Sequence, residues 1–274
     1  MLITQRLGRL RSVDSAGRVS KPLEGIPKVL ARGQGGLLDV AMDPRFTENR
    51  LVYVSYSEPE GNGAAGTSVA RGRLAEAGLE EVQVIYRQQP KVSGPNHFGS
   101  CLVFPRDGTL FITHGDRFAY GEQAQDLSSD LGKTMRINPD GSVPEDNPFV
   151  NRKGVRPEIW SYGHRNIQSA AIDPQTGQPW TVEHGARGGD ELNHPQAGKN
   201  YGWPIITYGI DYSGAKIGEG TPKSGMEQPV YYWDPVIAPS GMTFYTGECI
   251  SRVEGKHPGG LPDSGIAGSF GDDG

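Results

Sequence analysis

Short runs of apolar residues alternate with polar ones along the chain, and proline-containing turns separate these runs in pairs. Three such units cover residues 36–57, 99–116 and 167–185. In each unit an apolar strand leads into a turn that ends on Gly or Asn. A second strand follows, in which apolar and polar residues alternate. This pattern on both sides of a short turn is typical of a β-hairpin. The sequence therefore predicts three hairpins in this region.

The spacing of the hairpins indicates what lies between them. Their turn prolines are Pro44, Pro105 and Pro174, so the units repeat after 61 and then 69 residues. Each interval leaves room for about two more strands and a loop, which is the size of a propeller blade with insertions. We therefore predict an all-β fold of the β-propeller kind, with almost no helix.

Composition agrees with many short strands and excludes some partners. The chain has 40 Gly and 21 Pro among 274 residues, about 22% against a usual share of roughly 12%, and turns concentrate both residues. The formal net charge is −5 without a basic run, so nucleic acid and anionic membrane surfaces are poor partners. No apolar stretch of 18 residues predicts a transmembrane helix, and the N-terminal residues lack a signal-peptide core.

The two ends of the chain depart from the hairpin pattern. Residues 1–13 resemble the second half of a hairpin without its first half, and residues 239–247 resemble a first half without its second. We expect a propeller domain over residues 1–247 with incomplete first and last blades. Residues 248–274 are rich in Gly and predict a disordered tail. Cys101 and Cys249 are the two cysteines, and nothing in the sequence indicates that they meet.

Polar residues occupy similar positions just before successive hairpins. Gln34 precedes the first hairpin, His97 the second, and Arg165 with Asn166 the third. In a fold whose repeats are arranged around a central axis, residues at the same position of each repeat point towards that axis. We therefore expect these side chains to lie close together. An imidazole there can accept a proton from a hydroxyl, and planar donors can bind carboxylates or a developing oxyanion. The alternative is that the histidine and the arginine are ordinary turn residues.

The segment 183–191, EHGARGGDE, combines glycines with carboxylates. Glycines allow backbone carbonyls to point at one centre, and carboxylates supply hard oxygen ligands, so calcium fits better than zinc. A polar loop without a ligand is the alternative. The six histidines show neither an H-E-x-x-H motif nor paired spacing, which argues against a zinc hydrolase.

Six ordered motifs resemble a known family. They are GQGGLLDVAMDP, GPNHFG, SYGHRN, EHGARGGDELN, GKNYGWP and GIDYSG. In this order they resemble the soluble pyrroloquinoline quinone (PQQ)-dependent sugar dehydrogenases, and within them the aldose branch of the glucose/sorbosone dehydrogenase family. The resemblance runs over residues 1–247. It implies a six-bladed β-propeller with the quinone in its central channel, and oxidation of an aldose at C1 to the lactone with PQQ and calcium as cofactors.

The resemblance also implies roles for residues at the quinone. His97 matches the general base that takes the proton of the C1 hydroxyl while hydride passes to the quinone. Arg165 and Asn166 match the pair that holds the quinone and stabilises its charge during reduction. Gln34 matches a polar contact to substrate and cofactor, and Tyr212 matches a wall of the cofactor pocket.

Two calcium sites follow from the same resemblance. The carbonyls of Gly185 and Ala186 match those that hold the calcium polarising the quinone. Glu191, with the carbonyl of Tyr201, matches a second, structural calcium site. An aldose and an external electron acceptor are the implied partners. A periplasmic or secreted location and a monomer or weak dimer are also implied.

The chain departs from the family pattern in places. Ala186 replaces the usual Pro, Asn96 stands where the glucose dehydrogenases have Asp, and Cys101 stands where Arg is common. Beyond residue 247 the family's Lys and Arg-x-Arg, which clamp the cofactor carboxylates, find no match. The sequence thus predicts a truncated or frame-shifted member. A non-catalytic fragment that binds calcium or sugar, and a calcium-dependent lactonase-type hydrolase, are the alternatives.

Overall fold

Antiparallel strands make up nearly all the regular structure of the computed structural model, which describes residues 1–246 and the backbone of 266–270. The four-residue helix α1 (Phe46–Asn49) and two 3-10 turns (Gly61–Gly63 and Gly121–Ala124) lie between strands. The strands in chain order are β1 (Leu2–Gln5), β2 (Arg9–Ser12), β3 (Leu37–Met42), β4 (Leu51–Glu60), β5 (Ala64–Leu74), β6 (Leu79–Arg87), β7 (Val92–Ser93), β8 (Gly99–Val103), β9 (Leu110–His114), β10 (Lys133–Ile137), β11 (Ile159–Tyr162), β12 (Ile167–Ile172), β13 (Pro179–Glu183), β14 (Asp190–Asn193), β15 (Tyr231–Trp233), β16 (Pro239–Phe244) and β17 (Ile266–Phe270).

The strands form successive antiparallel sheets in chain order. After the pair β1–β2 come the sheets β3–β4–β5–β6, with β7 added to β5, then β8–β9–β10–β11 and β12–β13–β14–β15, and finally the pair β16–β17. The three predicted hairpins correspond to β3–β4, β8–β9 and β12–β13. The all-β prediction and the near absence of helix are therefore confirmed over the described residues.

Each chain end forms a two-stranded sheet, and the predicted domain over residues 1–247 with incomplete first and last blades stays a prediction. Strand β1 pairs with β2 as a complete hairpin, because Gly8, with φ of +92°, donates its N–H to the carbonyl of Gln5 and reverses the chain within three residues. Strand β16 pairs with β17, which lies within the segment expected to be disordered. The remainder of that segment, including Cys249, is outside the described residues. Cys101 forms no disulfide with any described residue and donates its thiol to the carbonyl of Gln168.

The first strands of successive sheets lie next to one another. Strand β3 packs against β8, β8 against β12, and β12 against β16, which is how blades surround the axis of a β-propeller. Apolar side chains fill the space between the sheets, and each fully buried aliphatic group stabilises the fold by about 1.5–3 kcal/mol. The core between the sheets that begin with β3 and β8 contains Tyr53, Val69, Tyr86, Leu102, Leu110, Ile112, Met135, Ile137 and Ile159.

Candidate active site

The turns before the inner strands β3, β8 and β12 come together at one end of those strands. The side-chain oxygen of Gln34 accepts a hydrogen bond from the backbone N–H of His97 at 2.7 Å. The backbone carbonyl of Arg165 accepts one from the N–H of Asp116 at 2.8 Å, and the carboxylate of Asp116 bonds the ring of His97. The structure thus places Gln34, His97 and Arg165 in one hydrogen-bonded cluster.

His97 and Asp116 form a buried pair. His97 is 6% exposed and Asp116 is fully buried, and His97 Nδ1 lies 2.7 Å from Asp116 Oδ1. The same carboxylate accepts the backbone N–H of Phe118 at 2.7 Å and the indole N–H of Trp203 at 2.8 Å. Because the carboxylate favours the tautomer with its proton on Nδ1, Nε2 is the ring nitrogen that can accept a proton. The pair has the arrangement of a general base and its orienting group.

The sequence analysis assigned no specific role to Asp116 or to Trp203. Asp116 closes the hairpin of residues 99–116, and Trp203 lies in the aromatic segment GKNYGWP. The hydrogen bond between them joins residues 87 positions apart, so no local pattern could have revealed it. The position of Asp116 at the end of a repeat, on the same side as the turn that carries His97, was the available signal.

Arg117 fixes the turn that carries His97. The arginine is 1% exposed. Its guanidinium donates to the backbone carbonyls of Asn96 at 2.9 Å, of Ala65 at 2.7 Å, and of Gly94. Burial lowers the pKa of Arg117 to about 10, so the group stays charged at neutral pH. One buried cation therefore anchors the backbone that leads into His97.

Arg165 supplies a cationic group beside this pair. Its Nη1 donates to the carbonyls of His184, at 2.9 Å, and of Gly185, and its Nη2 lies 3.4 Å from the hydroxyl oxygen of Tyr212. The guanidinium also lies over the ring of Trp203, 5.2 Å from its centroid. Within the described residues, nothing accepts a hydrogen bond from its buried Nε. A guanidinium with an unused donor, next to a tyrosine that is 60% exposed, can bind an anionic ligand.

Asn166 has a more local setting than its neighbour. It is 1% exposed, its side-chain oxygen accepts from Gln168 Nε2 at 2.9 Å, and its backbone carbonyl accepts the N–H of His184 at 3.0 Å. These bonds fix the start of β12 to the loop that follows β13. A contact of Asn166 with a cofactor therefore stays a prediction.

Glu183 and Glu191 lie directly opposite each other on β13 and β14. Together with Tyr201 they line a small cavity, which has room for about one water molecule or one ion. Burial, reinforced by the charges of Glu183 and Asp190, raises the pKa of Glu191 to about 8. Carboxylates directly opposite on neighbouring strands destabilise a sheet unless a proton or a cation compensates them. The cavity is therefore suited to a cation.

The two carboxylates differ in the number of hydrogen bonds that they accept. Glu183 accepts from His164 Nδ1 at 2.9 Å, from Asn193 Nδ2 at 2.8 Å, and from the backbone N–H of Arg165 at 2.7 Å. Glu191 accepts from Asn193 Nδ2 at 3.0 Å. Glu191 is therefore the carboxylate with oxygen lone pairs to give to a metal, and Glu183 mainly fixes the neighbouring backbone. Sequence reasoning had not assigned this role to Glu183.

Asp190 organises the loop that carries Gly185 and Ala186. One of its oxygens accepts the N–H of Gly185 at 2.7 Å, and the other accepts the N–H groups of Ile237 and Ala238 at 2.8 Å each. A side chain at position 185 would clash, because its Cβ would lie 2.3 Å from the backbone of the following glycines. The carbonyl of Gly185 already faces a cation, the Arg165 guanidinium. The loop thus directs carbonyl oxygens at positive charge.

Among the described residues, no three or more His, Cys, Asp or Glu side chains are grouped in a way that could hold a metal ion. In the same part of the chain, no helix has the length and apolarity needed to cross a membrane.

Fold and site together define a β-propeller protein with a candidate general base and a cationic ligand site at one end of its inner strands. The sequence pattern of the Glucose / Sorbosone dehydrogenase family matches residues 1–267, and the chain belongs to that family. The match extends beyond residue 247, where the motif resemblance was expected to end.

Individual relatives agree with this assignment. Aldose sugar dehydrogenase YliI of Escherichia coli is 49% identical over 260 residues, which are 93% of this chain and 70% of that protein. The apo-form crystal structure of the soluble aldose sugar dehydrogenase of Escherichia coli has a TM-score of 0.88 at 48% identity and covers 90% of this chain and 72% of that one. The PQQ-bound aldose sugar dehydrogenase of Streptomyces coelicolor has a TM-score of 0.74 at 30% identity, covering 88% and 67%.

Proposed function

We propose that the protein oxidises aldose sugars at C1 to the lactone and depends on PQQ and calcium for this reaction. The observation that carries the proposal is the buried His97–Asp116 pair, whose carboxylate also binds the indole N–H of Trp203, over which the Arg165 guanidinium lies. The named activity of the relatives and the PQQ-bound structural neighbour support the same choice.

The residues of the site fit the quinone. PQQ carries three carboxylates, and Arg165 has a buried Nε that no described residue uses as a donor. The hydroxyl of Tyr212 lies 3.4 Å from Arg165 Nη2, and the ring centroid of Trp203 lies 5.2 Å from the guanidinium carbon, so two aromatic side chains beside the cation suit a planar ligand. In this proposal Arg165 and Asn166 hold the cofactor, and Gln34 and Tyr212 line its pocket. The bound quinone supplies a two-electron acceptor for hydride.

The remaining chemistry belongs to the chain. His97 Nε2 takes the proton of the C1 hydroxyl, as the hydrogen on C1 leaves with its electron pair and a C1–oxygen double bond forms. Asp116 keeps the ring in the required tautomer and stabilises the imidazolium that results. The side-chain oxygen of Gln34 accepts the backbone N–H of His97 and so holds that backbone in place. Removal of one proton and one hydride converts the hemiacetal to the lactone.

Two calcium ions complete the proposal. The carbonyls of Gly185 and Ala186 hold one, on the loop that Asp190 organises through the N–H of Gly185. Glu191 and the carbonyl of Tyr201 hold the other, in the cavity between opposed carboxylates. Oxygen-only ligand sets of this kind suit calcium.

Further details rest on the family resemblance. We propose that the sheets belong to a six-bladed propeller, that an external electron acceptor reoxidises the cofactor, and that the protein acts in the periplasm or outside the cell. A sugar enters through the end of the inner strands at which Tyr212 is exposed.

Reconstitution tests the proposed function. We expect purified protein with PQQ, calcium and an artificial electron acceptor to reduce the acceptor when an aldose is added, and to produce the lactone. Omission of PQQ should abolish turnover. Lactone hydrolysis without an acceptor would instead identify a lactonase. Binding of calcium or sugar without turnover would identify a non-catalytic protein.

Asp116→Asn tests the orienting carboxylate. We expect kcat to fall by at least about 10²-fold with little change in KM, because a neutral amide cannot stabilise the imidazolium and its Nδ2 would meet the donating indole N–H of Trp203. Steady-state kinetics with the reconstituted enzyme measure this effect. Trp203→Phe, which removes one N–H and keeps an aromatic ring, is the matched control and should lose much less. An Asp116→Asn enzyme with wild-type kcat would exclude the pair from the mechanism.

A further inference from the structure

Phe118 has an unusual combination of backbone and side-chain properties. Its φ is +66°, and Arg117 before it has φ of +59°. Few non-glycine residues adopt this left-handed conformation, and for a bulky side chain it is an outlier. The phenyl ring is nevertheless 51% exposed, so burial in a core does not compensate the backbone strain.

The surroundings hold Phe118 in this conformation. The fully buried carboxylate of Asp116 accepts its backbone N–H at 2.7 Å. Arg117 is anchored through its guanidinium to three backbone carbonyls, and its own carbonyl accepts the N–H of Ala119 at 2.8 Å. Strain that the surroundings enforce in this way is concentrated at functional sites. Four of the eight non-glycine residues with positive φ in the described chain lie in this region, and they are His97, Ser100, Arg117 and Phe118.

The ring of Phe118 lies between two parts of the candidate active site. Its centroid is 5.1 Å from that of His97, with the rings nearly perpendicular, and 6.4 Å from that of Tyr212, with the rings 29° from parallel. The hydroxyl of Tyr212 in turn reaches Arg165. The two rings thus form an exposed aromatic wall that extends from the general base to the guanidinium.

We propose that Phe118 is a sugar-binding and specificity-determining residue, whose ring packs against the C–H face of the pyranose that presents its C1 hydroxyl to His97. This inference rests on the proposed function. A pyranose has hydroxyl groups around its rim and apolar C–H groups on its faces, and an exposed aromatic ring removes the latter from water. Asp116 supports both the general base and the proposed sugar contact, because it orients the ring of His97 and fixes the backbone of Phe118.

The test uses Phe118→Gly, because glycine adopts φ of +66° without strain. We expect KM for D-glucose to rise about tenfold, the loss of one aromatic contact, with kcat changed less than about threefold. The melting temperature should rise by about 2–4 °C, because the backbone strain is relieved. Opposite effects on substrate affinity and on stability are expected only of a strained residue that contacts substrate.

Two matched variants act as controls. Phe118→Tyr keeps the ring and should retain the wild-type KM. Arg50→Gly relieves the same kind of strain far from the site, since Arg50 is exposed with φ of +60° at the end of α1. It should raise the melting temperature without changing KM.

The outcomes separate this inference from the proposed function. If the wild-type enzyme oxidises D-glucose and Phe118→Gly retains its KM, the inference is wrong and the function stands. If Phe118→Gly instead weakens PQQ binding in an absorbance titration while KM is unchanged, the ring contacts the cofactor, and the inference is also wrong. Calorimetric titration of D-glucose provides a readout without turnover. A wild-type protein that neither oxidises nor binds D-glucose or any other aldose would overturn both proposals.

Discussion

Replacing His97 by asparagine is expected to lower kcat for aldose oxidation by roughly 10²–10⁴, the range typical of a lost general base. Asparagine is the informative substitution because His97 has φ of +53°, which asparagine tolerates better than alanine. The amide cannot accept the proton, while the fold of the turn should persist. His97→Ala should show a similar loss of kcat with a lower melting temperature.

Binding measurements complete this test. Because His97 contacts Gln34 and Asp116 and is not among the residues proposed to hold PQQ, affinity for the cofactor should remain close to that of the wild type in both variants. A His97→Asn enzyme that keeps wild-type kcat would remove His97 from the chemistry. A variant that loses PQQ along with activity would assign His97 a role in binding instead.

Removing calcium is expected to lower the melting temperature, and the effect should increase from pH 5.5 to pH 8. Without a metal, the raised pKa of Glu191, about 8, means that the folded state binds more protons than the unfolded state between about pH 4.5 and 8. Stability therefore falls as the pH rises through this window. A calcium ion at Glu191 compensates the ionised carboxylate, so the chelator has most effect at the upper end. At a calcium concentration of about 100 times Kd, bound metal stabilises by about 2.7 kcal/mol, or roughly 5–10 °C.

Variants isolate this contribution. Glu191→Gln should abolish the pH dependence of the calcium effect and reduce the effect itself to the contribution of the Gly185/Ala186 site. Glu76→Gln, at an exposed turn position, should change neither. Comparison with the variant is needed because burial lowers the pKa of Lys133 to about 7, which contributes the opposite slope above that pH. Thermal melts with calcium or chelator at several pH values provide the measurement. Equal chelator effects in the wild type and in Glu191→Gln would exclude this calcium site.

The alternation of the sequence predicted the hairpins because it reflects local geometry. The alternation of apolar and polar residues on both sides of a proline-containing turn specifies which side chains face the core. The three hairpins form where this pattern predicts them. At residues 1–13 and 239–247 the same pattern did not reveal the partner strand. The first is a hairpin closed by the left-handed Gly8, and the second pairs with a strand that shows little alternation, Ile266–Phe270. Short strands with partners distant in sequence carry too little local signal.

The sequence by itself determined the all-β fold and the positions of Gln34, His97 and Arg165, because repeated units place residues of equal phase at equivalent points of a radial structure. Only the tertiary structure decided what surrounds them. The hydrogen bonds of Asp116 to His97 and Trp203 and the opposition of Glu183 to Glu191 depend on how separate sheets and strands meet. The exposed ring of Phe118 depends on a backbone conformation that its residue type disfavours. Sequence patterns encode local preference, whereas these features arise where long-range packing overrides it.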